Sequence, residues 1–166
     1  MAEFIQIVDE QDNVIGAKER DQLLPTDIYR VASLWVRNSR GEVLLLKRAA
    51  SKANQPNCWH PMSGTVRAGE SYEENVRREA EEELGIRGER FELGLKMYHD
   101  QPKRRLFSQG FWFTCDKLAS AFTLDQKDNS EARWWPLDEL RRELVAHPEW
   151  FVPSLRGSVE ARFPQE

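Results

Sequence analysis

The sequence predicts an α/β fold in which a mixed β-sheet lies between layers of helices, as an α/β/α sandwich. Two observations predict it. Segments rich in β-branched and aromatic residues stand on both sides of one strongly marked helix, and two further helix-like segments follow toward the C-terminus. Since the 166 residues contain no internal repeat and no linker-like tract, we expect a single domain over residues 1–166.

The first part of the chain predicts short strands joined by turns. Residues 4–16 carry apolar runs on both sides of a Gln-Asp-Asn turn and predict an N-terminal hairpin. Residues 29–37 and 42–48 are strand candidates separated by a turn, and we expect them to pair as a second hairpin. The intervening segments 17–27 and 49–61 are polar or interrupted by proline and asparagine, which predicts connectors.

The clearest local signal is a helix in the middle of the chain. Ser71 and Glu74 form a capping-box pair, so the helix is expected to begin just after Glu70. It should run to about Leu84, where Gly85 suits a C-terminal cap. At the helical period, an apolar strip that can seat the helix on a core is formed by Tyr72, Val76, Ala80 and Leu84.

The chain after this helix supplies the remaining elements of the sandwich. Residues 91–98 and 105–115 predict two strands, and residues 131–136 predict a short third one. Residues 138–146 have the pattern of an amphipathic helix, and residues 153–162 predict a last short helix.

The side of the central helix next to its apolar strip is strongly acidic. Residues 70–83 contain seven glutamates and two arginines, a formal charge of −5. Glu79, Glu82 and Glu83 are three and four positions apart, so they project from neighbouring turns on one side and repel each other. A hard divalent cation such as Mg²⁺ would offset this repulsion, because it binds carboxylate oxygens and keeps water and substrate phosphates as further ligands. An acidic helix by itself is more often only a solvated surface.

The spacing of the whole segment 64–86 favours the metal site over a solvated surface. It reads Gly64, five residues, Glu70, seven residues, and then Arg-Glu-Ala-x-Glu-Glu-x-Gly-Ile from Arg78 onward. This resembles the Nudix box at every constrained position. The resemblance implies the same α/β/α sandwich. Residues 64–69 are expected to form the loop that leads into the helix.

The resemblance also implies a chemistry. Nudix proteins typically hydrolyse a diphosphate linked to another moiety, using Mg²⁺ or Mn²⁺. Arg78 matches the arginine that orients the acidic residues, a task for which its two-pronged guanidinium suits better than a lysine. The metal ligands implied by the resemblance are the Gly64 carbonyl, Glu70, Glu79, Glu82 and Glu83.

The general base is not fixed by the box. A carboxylate beside a metal-bound water can take its proton, and Glu82 or Glu83 is favoured for this role. Glu131 is an outside candidate, because it begins a segment that resembles the E-x-x-W region that follows the box in Nudix proteins. An exposed carboxylate at a strand end is an equally good interpretation of Glu131.

Basic residues are candidates for contacts with the diphosphate. Arg48 ends a strand that in the family leads toward the active-site loops, and Lys52 follows closely in the sequence Arg-Ala-Ala-Ser-Lys. Lone basic residues such as these are more often only solvated, and the basic run 103–105 is a weaker candidate still.

Two flanking features resemble one branch of the family, isopentenyl-diphosphate isomerase and its relatives. These are the opening segment 7–16 and the run from Arg48 to Trp59. The chemistry of the isomerase is missing, because Met62–Val66 stands where that enzyme has a cysteine followed by Gly-His, and no histidine opens the strand at Ile28. We therefore expect a hydrolase of the isomerase-like bacterial subgroup. The alternatives are an isomerase and a nucleotide-binding module without catalysis, which the complete set of box carboxylates disfavours.

Composition limits the partners. The net charge of −4 comes almost entirely from the acidic segment, whose removal leaves about +1 and no basic face for a nucleic-acid polymer. The two cysteines lack metal or redox spacing, which suits a reducing cytoplasm, and no segment resembles a signal peptide or a membrane span. We expect a cytoplasmic protein that binds a small-molecule diphosphate, with the apolar N-terminal hairpin as a candidate homodimer surface.

Overall fold

The predicted mixed sheet between helical layers is confirmed by a computed structural model that covers residues 1–166. None of its helices is long and apolar enough to cross a membrane. The strands are β1 Phe4–Val8, β2 Val14–Glu19, β3 Ile28–Arg37, β4 Glu42–Arg48, β5 Trp59–His60, β6 Met62–Thr65, β7 Glu92–Gln101, β8 Arg104–Thr114 and β9 Asn129–Pro136, and the helices are α1 Tyr72–Leu84, α2 Leu137–Ala146 and α3 Leu155–Arg162.

Strand β3 lies at the centre of the sheet. It runs parallel to β8 along its whole length, from the pair Ile28–Arg105 to the pair Arg37–Thr114. On its other side it pairs antiparallel with β1 and then with β6. The predicted hairpin of residues 4–16 is confirmed as β1 and β2, but β2 continues to Glu19, so the first three residues of the predicted connector 17–27 belong to the strand. Strand β7 closes the far side of the sheet against β8.

Strands β3 and β4 do not form the long hairpin that the sequence predicts. They pair only at Arg37 and Val43, next to the turn, and then separate. The segment from β5 to β6 runs between them, so that β5 pairs with β4 and β6 pairs with β3. Strand β4 instead pairs along most of its length with β9.

The expected loop over residues 64–69 is wrong for its first two residues. Gly64 and Thr65 belong to β6 and lie opposite Ala32 and Val31 of β3. Their backbone groups are paired because β3 offers an open edge here, a long-range contact that no local sequence pattern encodes. The predicted connector 49–61 likewise contains the short strand β5.

The two sheet faces carry separate cores, as the alternation of side chains along a strand requires. Ala32 and Leu34 of β3 pack against α1 through Val76, Ala80 and Leu84, all of them buried. On the opposite face, Trp35 packs beneath α2 and α3 in a second cluster, whose members include Val43, Leu45, Trp135, Leu140, Leu155 and Val159.

Candidate active site

Helix α1 is held at both ends by the caps predicted from the sequence. The Ser71 hydroxyl accepts the backbone N–H of Glu74 at 3.1 Å, and the Glu74 carboxylate accepts the backbone N–H of Ser71 at 2.8 Å. Gly85 ends the helix with φ of 68°, a left-handed conformation that glycine adopts without strain. These caps and the buried apolar strip fix which side of α1 meets β6.

Arg78 joins three of the predicted carboxylates. Its Nε and Nη2 donate to the two oxygens of Glu70 at 2.6 and 3.2 Å, and its Nη1 donates to Glu79 at 2.9 Å and to Glu82 at 3.2 Å. Only 21% of the Arg78 side chain is exposed, so its ion pairs are better shielded from solvent than those of a surface arginine. The structure therefore brings together Arg78, Glu70, Glu79 and Glu82.

Glu70 is held by more than Arg78. It accepts the backbone N–H of Arg67 at 3.0 Å and the side-chain amide of Asn75 at 3.0 Å. Burial opposes its ionisation, but the hydrogen bonds from Arg78, Asn75 and Arg67 outweigh that and lower the pKa of Glu70 to about 2. Asn75, fully buried, also donates to the carbonyl of Thr65 at 2.9 Å and so ties the helix to β6.

Glu79 lies directly over Gly64. A Cβ atom at Gly64 would lie 2.4 Å from both Cγ and Cδ of Glu79, a separation that atoms cannot adopt. The box begins with glycine because any side chain here would displace the Glu79 carboxylate.

The carboxyl groups of Glu79 and Glu83 are in direct contact and influence each other's ionisation. Burial, reinforced by the charges of Glu79 and Asp128, raises the pKa of Glu83 to about 8. Burial also raises the pKa of Glu79, although Arg78 counteracts it. The Oε2 atom of Glu83 is buried and has no hydrogen-bond partner. A buried carboxylate oxygen without a partner is costly, which indicates that something outside the chain satisfies it.

These carboxylates fit a divalent cation with oxygen ligands. In the structure no three His, Cys, Asp or Glu side chains are gathered around one point, because Glu82 is turned toward Arg78. The Glu82 side chain is 51% exposed, however, so rotation could bring its carboxylate to Glu79 and Glu83 at little cost. A hard cation bound here would give the unpartnered Glu83 oxygen a partner. It would also favour the ionised form of both carboxyl groups and so lower their raised pKa values.

The two predicted diphosphate contacts lie at the same end of the sheet in different surroundings. Lys52 donates a short hydrogen bond to Asp128, whose charge acts on Glu83, so Lys52 lies beside the acidic residues. Arg48 donates to the carbonyl of Asn54 at 3.0 Å and lines a cavity on the opposite face of the sheet.

Glu131 is not brought to the acidic residues. It is exposed on β9 opposite Lys47. Ala132 and Trp134 point into the α1 core and Trp135 points into the other core, so alternation places Glu131 on the face away from α1. In the basic run 103–105, Arg105 pairs with acidic side chains, whereas Arg104 lines the same cavity as Arg48.

Sequence reasoning missed Asn75 and Asp128. A usable signal existed for Asn75, since it falls beside the apolar strip of α1, where a buried amide needs partners. Asp128 carried none, because its contact with Lys52 joins residues 76 positions apart in an ordinary polar loop.

Comparisons with a family model, with known proteins and with solved structures all identify the same family. The NUDIX domain model matches residues 28–155. An uncharacterized Nudix hydrolase of Pseudomonas aeruginosa is 33% identical over 162 residues, which span 96% of this chain and 91% of that protein. A prenyl-diphosphate phosphatase of Methanosarcina mazei is 31% identical over 171 residues, spanning 94% of this chain and 92% of its own. The crystal structure of DR0079 from Deinococcus radiodurans superposes with a TM-score of 0.83 at 26% identity, covering 97% of this chain and 99% of that one.

Proposed function

Because the chain belongs to the Nudix hydrolase family, we propose that it hydrolyses a diphosphate linkage in a nucleoside diphosphate derivative or a related small molecule, with Mg²⁺ or Mn²⁺ as cofactor. The observation that carries the proposal is the buried, unpartnered oxygen of Glu83 next to Glu79. Membership of the isomerase-like subgroup is part of the same proposal, and it rests on the opening hairpin and the run from Arg48 to Trp59.

We assign the acidic residues separate tasks. Glu79, Glu82 and Glu83 would hold the cation, with the Gly64 carbonyl and Glu70 in support. When bound, the cation neutralises diphosphate oxygens and lowers the pKa of a coordinated water. Arg78 keeps Glu70 and Glu79 in position through its hydrogen bonds at 2.6 and 2.9 Å, so the carboxylates are oriented before substrate arrives.

The base that takes the proton from the attacking water is assigned to Glu82 or Glu83. Glu82 is half exposed and held by a single 3.2 Å contact, so it can reach a water that enters from solvent. Glu83 is the alternative, because the charge of a bound cation would keep its carboxylate ionised and able to accept a proton.

The central experiment measures phosphate-product release from a panel of nucleoside, sugar and prenyl diphosphates, with Mg²⁺ and with excess EDTA. Prenyl diphosphates belong in the panel because the Methanosarcina mazei relative is named for them. We expect turnover only with the divalent cation. Isomerisation of an allylic diphosphate without phosphate release would contradict the proposal, as would turnover in EDTA.

Matched glutamine variants test the assigned residues. Glu82→Gln should reduce turnover, whereas Glu81→Gln should not, because Glu81 is exposed and pairs with Arg87 on another side of the helix. Unchanged turnover in Glu82→Gln would refute the site.

Titration with Mg²⁺ separates a base from a metal ligand. Loss of a ligand raises the Mg²⁺ concentration needed for half-maximal rate, whereas loss of the base lowers the maximal rate at any Mg²⁺ concentration. Glu83→Gln should show the first behaviour if Glu83 is a ligand, and Glu82→Gln the second if Glu82 is the base.

A further inference from the structure

A cavity of about 210 Å³ lies on the sheet face opposite α1, beneath α3. That volume is far larger than the ~10–15 Å³ that a single water needs. Its lining is mainly polar and contains no aspartate or glutamate. We call it the basic cavity, after the cationic and imidazole side chains that line it: Arg48, His60, His99, Arg104 and Arg162.

Arg162, the last residue of α3, is the most informative of these. Its Nη1 donates only to the Ser158 carbonyl at 3.3 Å and to Met97 Sδ at 3.5 Å, and its guanidinium lies 4.6 Å from the centre of the Trp35 ring. No carboxylate pairs with it. By contrast, the partly buried Arg30 is paired with Asp12 at 2.7 Å. Burial without a counter-ion lowers the pKa of Arg162 to about 10.

The other arginines of the cavity also lack a negatively charged partner. Neither Arg48 nor Arg104 forms an ion pair, and Arg104 makes no side-chain hydrogen bond. Burial together with the charges of Arg104 and Arg162 lowers the pKa of His99, so these guanidinium groups act jointly on the cavity. Arg162 is the member of this group whose charge is partly withdrawn from water without a counter-ion, which is costly unless an anion approaches, whereas Arg104 is exposed and its charge is solvated.

Strand β8 leaves space for the guanidinium group of Arg162. Gly110 of β8 lies under the guanidinium of Arg162, and a Cβ there would come within 2.6 Å of Nη2. Arg162 can therefore approach the sheet closely, and the planar guanidinium that lines the cavity offers several N–H donors to a phosphate.

The basic cavity adjoins the candidate active site. Ser63 and Gly64 are neighbours on β6 and face opposite sides, so Ser63 lines the cavity while Gly64 lies under Glu79. The short segment from Arg48 to Lys52 connects the cavity with Asp128 beside Glu83. A substrate held at the acidic residues would reach the cavity by extending around this end of the sheet.

We propose that the basic cavity binds a phosphate monoester carried by the part of the substrate beyond the scissile diphosphate, with Arg162 and Arg104 as its principal partners. The proposal rests on the proposed hydrolase function and narrows its substrate class. A phosphate monoester fits better than a carboxylate, because it carries almost two charges at neutral pH and three acceptor oxygens for several guanidinium groups.

The test compares binding of molecules that differ by one phosphate monoester. NADH is compared with NADPH, and dephospho-coenzyme A with coenzyme A, by titration calorimetry on full-length Glu82→Gln protein. We expect the phosphorylated member of at least one pair to bind about tenfold more tightly or better, the effect of one or two charged hydrogen bonds. Equal affinity within both pairs would overturn the proposal.

Variants of α3 assign the preference to the cavity. Arg162→Met removes the charge but keeps much of the packing on Trp35, and it should abolish the preference, while Arg162→Lys should keep part of it. Arg156→Gln is the matched control, since Arg156 is exposed on the same helix and pairs with Glu160. An unchanged preference in a folded Arg162→Met protein, verified by its thermal melting curve, would also overturn the proposal.

Two further results distinguish binding of the substrate in the cavity from binding of a free anion, and distinguish failure of the anion site from failure of the proposed hydrolysis. Inorganic phosphate that binds in an Arg162-dependent way, with no preference within either pair, would make the cavity a site for a free anion and overturn its assignment to the substrate. A preference in binding without Mg²⁺-dependent turnover of any diphosphate would refute the proposed hydrolysis while supporting the anion site.

Discussion

The α-carbon of Gly64 lies against the side chain of Glu79 with no room for even one added methyl group. The nearest Glu79 atoms would be only 2.4 Å from a Cβ at position 64. The first residue of the box on β6 therefore sets the position of an acidic residue on α1, fifteen positions later.

Gly64→Ala should displace Glu79 and reduce kcat/KM by about 100-fold, the typical cost of misplacing an active-site group by about 1 Å. The unfolding free energy should fall by only about 1 kcal/mol, because the atoms in the way belong to a flexible side chain. Steady-state kinetics and urea unfolding measure the two effects. Gly157→Ala is the control, since nothing lies within 4 Å of its Cβ and an alanine inside α3 should stabilise by up to ~1 kcal/mol.

Arg78→Lys should lower kcat/KM by about tenfold to 100-fold while the protein stays folded. A lysine cannot hold both oxygens of Glu70 and reach Glu79 as well, so the acidic residues lose their orientation. The control is the neighbouring Arg77→Lys, which affects only an exposed pair with Glu73 and should leave the kinetics unchanged. Equal kinetics in the two variants would show that Arg78 does not position the carboxylates.

Features determined by nearby residues could be predicted from the sequence. Helix α1 begins after Glu70 and ends at Gly85, as predicted, because its caps are built from residues three or four positions apart. The contact of Arg78 with Glu82 follows from the helical period, since the two residues are four positions apart.

Features created by long-range contacts could not be predicted. Strand β6 exists because Met62–Thr65 meets the open edge of β3, about thirty positions earlier. Arg162 reads as an ordinary residue at the end of a surface helix, and only the packing of α3 against β8 places it over Trp35. Local periodicity identifies a helix, but it does not show which cations a folded chain leaves without partners.

Ser71→Ala should reduce the unfolding free energy by about 1 kcal/mol, because it removes the hydroxyl that accepts the Glu74 N–H. Ser154→Ala provides the comparison. Ser154 occupies the same position before α3, but its side chain makes no capping hydrogen bond, so its removal should cost nothing on this account. Urea unfolding of both variants measures the difference, and equal losses would contradict a capping role specific to Ser71.

His60 should make the protein acid-sensitive. It is buried beside Asn129, with Nε2 at 2.8 Å from Oδ1, and burial lowers its pKa from 6.5 to about 4. Between about pH 6.5 and 4 the unfolded chain therefore binds a proton at His60 that the folded chain does not bind, so the unfolding free energy falls as the pH falls, by up to about 1.4 kcal/mol per pH unit. His60→Gln keeps a donor for Asn129 but cannot titrate. Urea unfolding across this range should show a shallower pH dependence for the variant than for the wild type, because the carboxylates common to both proteins cancel in the difference. Identical slopes would mean that His60 does not titrate in this window.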